Sequence, residues 1–319
     1  GRAVRADVTV SFIGLKRGLF TLDAMDCTGE LQFADLGVPA QVYQQVNTDT
    51  YRLELEALLE QQAPRPATAH KGLYGTVLVV GGDYGMAGAA ALAAEAALRC
   101  GAGLVKVATR PEHVAALVAR APEVMAMGVE SGEALQPLLD SADVLVVGPG
   151  LGQSAWSEYL FQAAVQSGKP MVLDADGLNL LAAGKADARP GMIITPHPGE
   201  AARLLSCTTA QVQADRFTAC RAMQQGTGAV TVLKGNGTLI ANAQQLLLSD
   251  YGNPGMASGG MGDVLSGVIG SLLAQGVEPL EAAALGVCLH GAAADIAAEE
   301  GMCGLVASDL MPWLRELLG

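Results

Sequence analysis

The sequence predicts an α/β protein: a mostly parallel sheet with helices on both faces and an antiparallel edge. Three observations lead there. From Gly75 onward, short apolar runs alternate with helical patterns, as where "GTVLVVGG" precedes the alanine-rich stretch Ala87–Cys100. Runs such as "VLVV" are apolar at successive residues, as expected of strands buried on both faces. One stretch, "AVTVLKGNGTLIANAQQLLLSD", reads instead as strand, tight turn, strand, turn and strand, an antiparallel addition to the sheet.

In chain order, "VRADVTVSF" (Val4–Phe12) reads as a strand and "LQFADLGVP" as a short strand and turn, with no helix pattern beside them. They are too short to bury a core, so residues 1–46 read as the tail of another domain. A helix over Thr48–Gln62 and the proline-rich "APRPATAHKG" make 47–70 a linker and 71–319 the main domain. In that domain the strand "GTVLVVGG" leads to a helix closed by Gly101. "GLVKVATR" is the next strand, Pro111–Arg120 a helix, "EVMAMGV" strand-like, and "ADVLVVGPGLG" a strand running into a glycine loop. "KPMVLDADGLNLL" and "GMIITPHPGEAARLL" repeat the strand-to-helix theme, and Asp263–Gly319 is helical. In such sheets ligands bind outside the carboxyl ends of the strands. "GGDYGMAGA", "GPGLG", "DADGLN", "TPHPGE" and "KGNGT" each follow a strand, so all five should gather at one rim.

Composition narrows the partners. Half of the 319 residues are apolar, 16% are charged, and the net charge is −13, which argues against nucleic acid or an anionic membrane as a main partner. A phosphate-bearing ligand would be held by local backbone donors, a few cations and a divalent metal. Cys27, Cys100, Cys207, Cys220, Cys288 and Cys303 form no C-x-x-C pair and read as free, mostly buried thiols of a reducing cytosol. No unbroken window of about 18 strongly apolar residues marks a membrane span. No signal peptide is visible, and the opening Gly1 suggests a fragment or a processed chain.

The chemistry-bearing motifs each have a plain reading and a sharper one. In "SGGMGDVLSGVIGSLLAQ", Gly259, Gly260 and Gly262 precede a helical apolar run, so bare amides meet a helix N-terminus, an anion site. Asp263 there either caps its own helix or takes a proton from an acceptor hydroxyl. "GPGLG" (Gly148–Gly152) is a turn or a close approach to ligand. His197 fixes its loop or touches ligand. His290 reads as a packed helical histidine. In "VLKGNGTLI", Lys234 and Thr238 flank donors suited to a nucleotide, although no P-loop pattern occurs. "VLVVGGDYGMAGAA" matches a dinucleotide-binding loop poorly, with Arg110 as the one residue placed for a 2′-phosphate. No His, Cys and carboxylate spacing suggests a structural zinc site.

Taken together, "HKGLYGTVLVVGG", "GPGLG", "TPHPGEAARLL", "VLKGNGT" and "GNPGMASGGMGD" resemble, in order, the signatures of the ADP- or ATP-dependent NAD(P)H-hydrate dehydratases, from about Thr68 to the C-terminus. The segment "AVRADVTVSFIGLKRGL" through "GELQFADLGVP" resembles the end of the NAD(P)H-hydrate epimerase domain that precedes the dehydratase in bifunctional bacterial members. The resemblance implies a ribokinase-like fold and the repair of the S epimer of hydrated NADH or NADPH. The ring hydroxyl would be phosphorylated by ADP or ATP, and phosphate would then be lost. It implies Asp263 as the catalytic base, ionised at its helix N-terminus and therefore weak, and the amides of Gly259, Gly260, Met261 and Gly262 as an anion hole. Lys234, Gly235, Asn236, Gly237, Thr238 and Gly262 would bind the adenine nucleotide. Ala89, Gly150, His197 and Asp263 would face the substrate. Mg2+ would bridge the phosphates, with no ligand cluster to identify its donors. A cytoplasmic homo-oligomer, a tetramer or larger, is expected. The alternatives are a ribokinase-like kinase of another small alcohol and an NADP-dependent oxidoreductase.

Overall fold

Strand and helix alternate through most of the chain in the computed structural model, which describes residues 3–46 and 48–319. In order the elements are β1 (Val8–Phe12), α1 (Met25–Thr28), β2 (Glu30–Ala34), α2 (Ala40–Gln45), β3 (Thr50–Arg52), α3 (Leu55–Leu59), β4 (Thr76–Val80), α4 (Ala87–Arg99) and β5 (Leu104–Thr109). There follow α5 (Val114–Arg120), β6 (Met125–Gly128), α6 (Gly132–Asp140), β7 (Val144–Val147), α7 (Ala155–Gln166), β8 (Met171–Leu173), α8 (Ala175–Ala182) and β9 (Met192–Ile194). The chain continues through α9 (Pro198–Leu204), α10 (Thr209–Ala214), α11 (Arg216–Thr227), β10 (Val230–Leu233), β11 (Thr238–Ala241) and β12 (Leu246–Ser249). It ends in α12 (Met261–Ala274), α13 (Pro279–Ala297) and α14 (Met311–Leu317).

Ten strands form one sheet in the order β3-β12-β11-β10-β9-β8-β7-β4-β5-β6. All neighbours are parallel except β10–β11 and β11–β12, the antiparallel edge expected from the sequence. Side chains alternate between the two faces: Val77 and Val79 enter the core shared with α4, α12 and α13, while Leu78 and Val80 enter the core shared with α6, α7 and α11. This double burial is why strands such as β4 and β7 read as nearly continuous apolar runs. Helices α4 and α12 lie so close that a Cβ on Gly267 would overlap the carbonyl oxygen of Ala93. Helix α13 and its 3-10 continuation, Pro279–Glu300, have the length and hydropathy of a membrane span, but 78% of its apolar 18-residue window is buried inside this fold, and the helix packs against α12 and α14.

Three expectations are corrected. The segment 47–70 is not a helical linker over Thr48–Gln62: β3 pairs parallel with β12 at the sheet edge, Leu53 and Leu55 are buried, and the helix is only Leu55–Leu59. The register explains it, since the amide of Leu53 donates to Leu248 and that of Leu55 to the Tyr251 hydroxyl. The N-terminal segment also contains helices, α1 and α2, beside a separate two-stranded parallel sheet, β1–β2. A parallel pair needs a crossover, and residues 13–29 supply it in short turns. Phe20 in that crossover is 7% exposed and sits in the core of the main sheet. The cysteines are free, but only Cys100, Cys220 and Cys288 are buried; Cys27 and Cys207 are half-buried and Cys303 is exposed.

Candidate functional site

Strands β10, β9, β8, β7 and β4 are consecutive in the sheet, so their carboxyl ends place the five glycine-bearing motifs side by side. Backbone hydrogen bonds lock neighbouring loops together: Lys234 donates to Pro196 at 2.9 Å, Gly82 to Pro149 at 3.1 Å and Asp83 to Gly150 at 2.6 Å. A cavity of about 1300 Å3 lies elsewhere, at the carboxyl ends of α4 and α12 around Arg65, Arg99 and Gln275, and contains none of the candidate residues.

The N-terminus of α12 faces this rim. Gly260 is its N-cap, in the left-handed region with φ 93°, and no side chain caps the helix. That corrects the reading of Asp263 as a cap. The first amide of this stretch with a backbone acceptor is Val264, bonded to Gly260; those of Gly259 to Asp263 have none among the described residues. Burial, reinforced by the Asp174 carboxylate and only partly offset by Lys234, pushes the Asp263 carboxyl up to about 7. The expectation of an ionised, weak base is therefore corrected. The helix terminus favours the anion, but desolvation and a neighbouring carboxylate outweigh it, and the group is poised near neutrality.

Asp174, at the end of β8, holds the centre of the site, and the sequence reading did not single it out. It is 1% exposed and accepts from Thr195 Oγ1 at 2.8 Å, Lys234 Nζ at 2.6 Å and Ser266 Oγ at 2.8 Å. Gly262 lies against this pair: a Cβ there would stand 3.1 Å from Lys234 Nζ and 3.3 Å from Asp174 Oδ2. Burial opposes the Lys234 charge, yet Asp174 and Glu200 more than compensate and hold its ammonium above the ordinary range. The one signal for Asp174 was its place in "DADGLN", after a strand and before a helix.

The hairpin from Lys234 to Thr238 is organised by its carbonyls. Arg216, 2% exposed, donates through Nη2 to the carbonyls of Leu233, Lys234 and Gly237. Thr238 Oγ1 donates to Gly235, and the Leu22 amide donates to Asn236. Every carbonyl from Leu233 to Gly237 is thus engaged. A trans peptide points its N–H opposite its C=O, so fixing the carbonyls fixes the direction of the amides of Gly235, Asn236 and Gly237. The side chains of Asn236 and Thr238 are spent on protein contacts, with Leu22 and Gly235. Arg216 was also missed; nothing local in "QADRFTAC" shows that it is buried beneath a loop 17 or more residues away.

Of the residues expected to face substrate, Ala89 and Gly150 come together. Gly150 has φ 58°, and a Cβ there would meet the Met86 carbonyl at 2.5 Å and Ala89 Cβ at 3.1 Å. His197 caps α9: its Nδ1 accepts from the Gly199 amide at 3.0 Å, while its own amide donates to Glu200 at 2.8 Å. Its ring remains half-exposed at the rim, and burial, with help from Lys234 and Arg203, holds it below the ordinary histidine range. Glu200, 5% exposed, is pushed up to about 7 by burial. Arg110 is not free for a 2′-phosphate. It bonds Asp83 at 2.7 Å and lies 4.5 Å from the Tyr84 ring and 4.1 Å from the Trp156 ring. His290 is buried in α13, with an imidazole pushed down to about 4 by desolvation.

A family model described as NAD(P)H-hydrate dehydratase matches residues 77–315. The bifunctional NAD(P)H-hydrate repair enzyme of Coxiella burnetii is 51% identical over the whole of this chain, which spans 65% of that relative. The ADP-dependent (S)-NAD(P)H-hydrate dehydratase of Neisseria meningitidis serogroup B is 44% identical over 79% of this chain and 88% of its own length. A crystal structure of the ADP/ATP-dependent NAD(P)H-hydrate dehydratase of Bacillus subtilis, grown with ATP and Mg2+, superposes with a TM-score of 0.76 at 29% identity. It covers 85% of this chain and 98% of its own. The chain spans less than two thirds of the length of the bifunctional relatives it matches first.

Proposed function

The chain belongs to the NAD(P)H-hydrate dehydratase family, and on that footing we propose that it dehydrates the S epimer of hydrated NADH or NADPH at the expense of ADP or ATP. The observation that carries this reading is the position of Asp263. A carboxyl poised near 7 stands at a helix N-terminus whose amides are bare, next to the Lys234–Asp174 pair and on the same rim as the hairpin amides. Bare amides at a helix N-terminus suit a phosphoryl group in transfer.

In this reading, Asp263 orients the ring hydroxyl and accepts its proton as the new O–P bond forms and the nucleotide's terminal phosphoryl bond breaks. Phosphate then leaves with the C–O electron pair, pushed by the ring nitrogen, and loss of a proton from the adjacent ring carbon restores the double bond. Gly259 to Gly262 hold the phosphoryl oxygens. The amides of Gly235 to Gly237 hold the nucleotide. Ala89, Gly150 and His197 border the substrate. Lys234 places a cation beside Gly262, kept in position by Asp174.

Mg2+ fits as a metal carried by the nucleotide phosphates rather than by a protein cage. No three metal-ligating side chains converge among the described residues, and Asp174 already accepts three hydrogen bonds. When bound it would neutralise phosphate charge. Residues 1–46 are proposed as the end of an epimerase domain; the isolated β1–β2 pair supports this, because parallel strands ordinarily belong to larger covered sheets. A cytoplasmic homo-oligomer of four or more chains belongs to the same proposal and is checked by light scattering.

The test is incubation with Mg2+ and acid-hydrated NADH or NADPH, with ADP, ATP or neither, while reduced-nicotinamide absorbance is followed. Nucleotide-dependent recovery is expected. Nucleotide binding without recovery would favour the small-alcohol kinase. Hydride transfer without any nucleotide would favour the oxidoreductase, which the engagement of Arg110 already weakens.

A further inference from the structure

The hairpin from Lys234 to Thr238 is held from inside by Arg216, and from outside by a segment that the family model does not include. Leu22 donates its amide to the Asn236 carbonyl at 3.3 Å and accepts from Asn236 Nδ2 at 2.8 Å. A Cβ on Gly237, which has φ 68°, would overlap the Phe20 carbonyl, so the two backbones are in direct contact. Phe20 is anchored in the main core, with Arg52 5.4 Å over its ring. Leu22 itself has φ 56°, a left-handed conformation that leucine adopts only under constraint. The family model begins at residue 77, more than fifty residues downstream.

We propose that Phe20–Leu22 are positioning residues for the nucleotide site: by pinning the Asn236 carbonyl, Leu22 fixes the Asn236–Gly237 peptide with its N–H turned away from the brace and available to the nucleotide phosphates. The inference rests on the reading of the hairpin as the adenine nucleotide site. The other peptides of the hairpin do not need the N-terminal segment, because Arg216 and Thr238 hold their carbonyls. The Asn236 carbonyl alone depends on it. Without Leu22 this peptide is free to flip, placing a carbonyl oxygen where an anion would meet a donor. Nucleotide affinity in this chain is thereby linked to the placement of residues 17–24, which lie outside the span that the family model matches. Asn236 accordingly serves the brace with its side chain and the ligand with its backbone.

The test uses the full chain and reads direct binding of ADP and of ATP by calorimetry, together with hydrogen exchange at residues 234–238. Leu22→Pro removes the donor and cannot adopt a positive φ. It is expected to weaken nucleotide binding by about tenfold, the upper end of what one net hydrogen bond is worth, and to speed exchange of the hairpin amides. Leu22→Gly suits the backbone and is expected to bind as the parent does. Asn236→Ala, which removes only the side-chain half of the brace, guards against a misfolded proline variant and is expected to weaken binding several-fold, within about tenfold. The KM for the hydrated dinucleotide is expected to stay unchanged in all three. Unchanged nucleotide affinity and exchange in Leu22→Pro and Asn236→Ala overturn the brace. A parent chain that binds neither nucleotide overturns the functional reading and the brace with it.

Discussion

Lys234 and Asp174, 60 residues apart in the chain, meet at 2.6 Å where β8 and β10 end on either side of β9. The carboxylate is almost wholly enclosed and the ammonium about one-fifth exposed. Breaking a buried pair from one side leaves an uncompensated charge. Asp174→Asn is expected to cost about 3 kcal/mol, the low end for such a loss because Lys234 keeps some access to water. A urea midpoint shift measures it, and a shift within error would mean that Thr195 and Ser266 alone hold the site.

Asp263→Asn should lower turnover by about 10²–10⁴-fold, the usual range for a general base. The pH dependence follows from burial, which pushes the carboxyl up to about 7. The charged form accepts the proton, so activity rises with pH through about 7 and falls as the group protonates below it. A profile of kcat/KM from pH 5 to 9 checks this. The acid limb is expected in the parent and in Glu200→Gln, and is expected to vanish in Asp263→Asn.

Glu200 gives the opposite kind of signal, in stability. Burial raises its carboxyl from 4.5 to about 7, so the fold favours the neutral acid. Its contribution is fully present below about 4.5 and is lost as pH rises to about 7. Relative to Glu200→Gln, the parent should therefore lose melting temperature between pH 4.5 and 7 and keep a constant deficit above. Parallel melting curves with no pH-dependent gap would count against it.

Gly267 tests the packing of α4 against α12, the helix whose N-terminus is the proposed anion site. A methyl group there would strike the Ala93 carbonyl, which is backbone and cannot rotate aside. Gly267→Ala is expected to destabilise the protein by about 1–3 kcal/mol, read by thermal melting. Gly276→Ala, where nothing lies within 4 Å, has φ 84° and isolates the backbone penalty from the packing one.

The sheet was legible because its strands are buried on both faces and its loops are rich in glycine; β4, β7 and the antiparallel hairpins could be read from local pattern alone. What escaped depends on distant partners. The strand Thr50–Arg52 has two exposed residues of three and owes its existence to β12, almost 200 residues later. Asp174 and Arg216 look ordinary in "DADGLN" and "QADRFTAC", and become central only when Lys234 and the hairpin carbonyls arrive from elsewhere. Asp263 stands out by its motif, but the sequence suggests an ionised carboxylate, because the helix terminus is visible in sequence and the burial and neighbouring carboxylate that raise it are not.

The pairing of β3 with β12 has a consequence for how this chain could be divided. Leu246, Leu247 and Leu248 offer their backbone to Thr50, Tyr51 and Arg52. A version starting at residue 71 would uncover that ladder as an open apolar template, the kind of edge that recruits another polypeptide. Such a shortened molecule would borrow the same strand from a neighbour or precipitate. A cut just before Asp49 keeps this strand but removes Phe20 and the Leu22 brace, so only a cut ahead of Arg17 spares both.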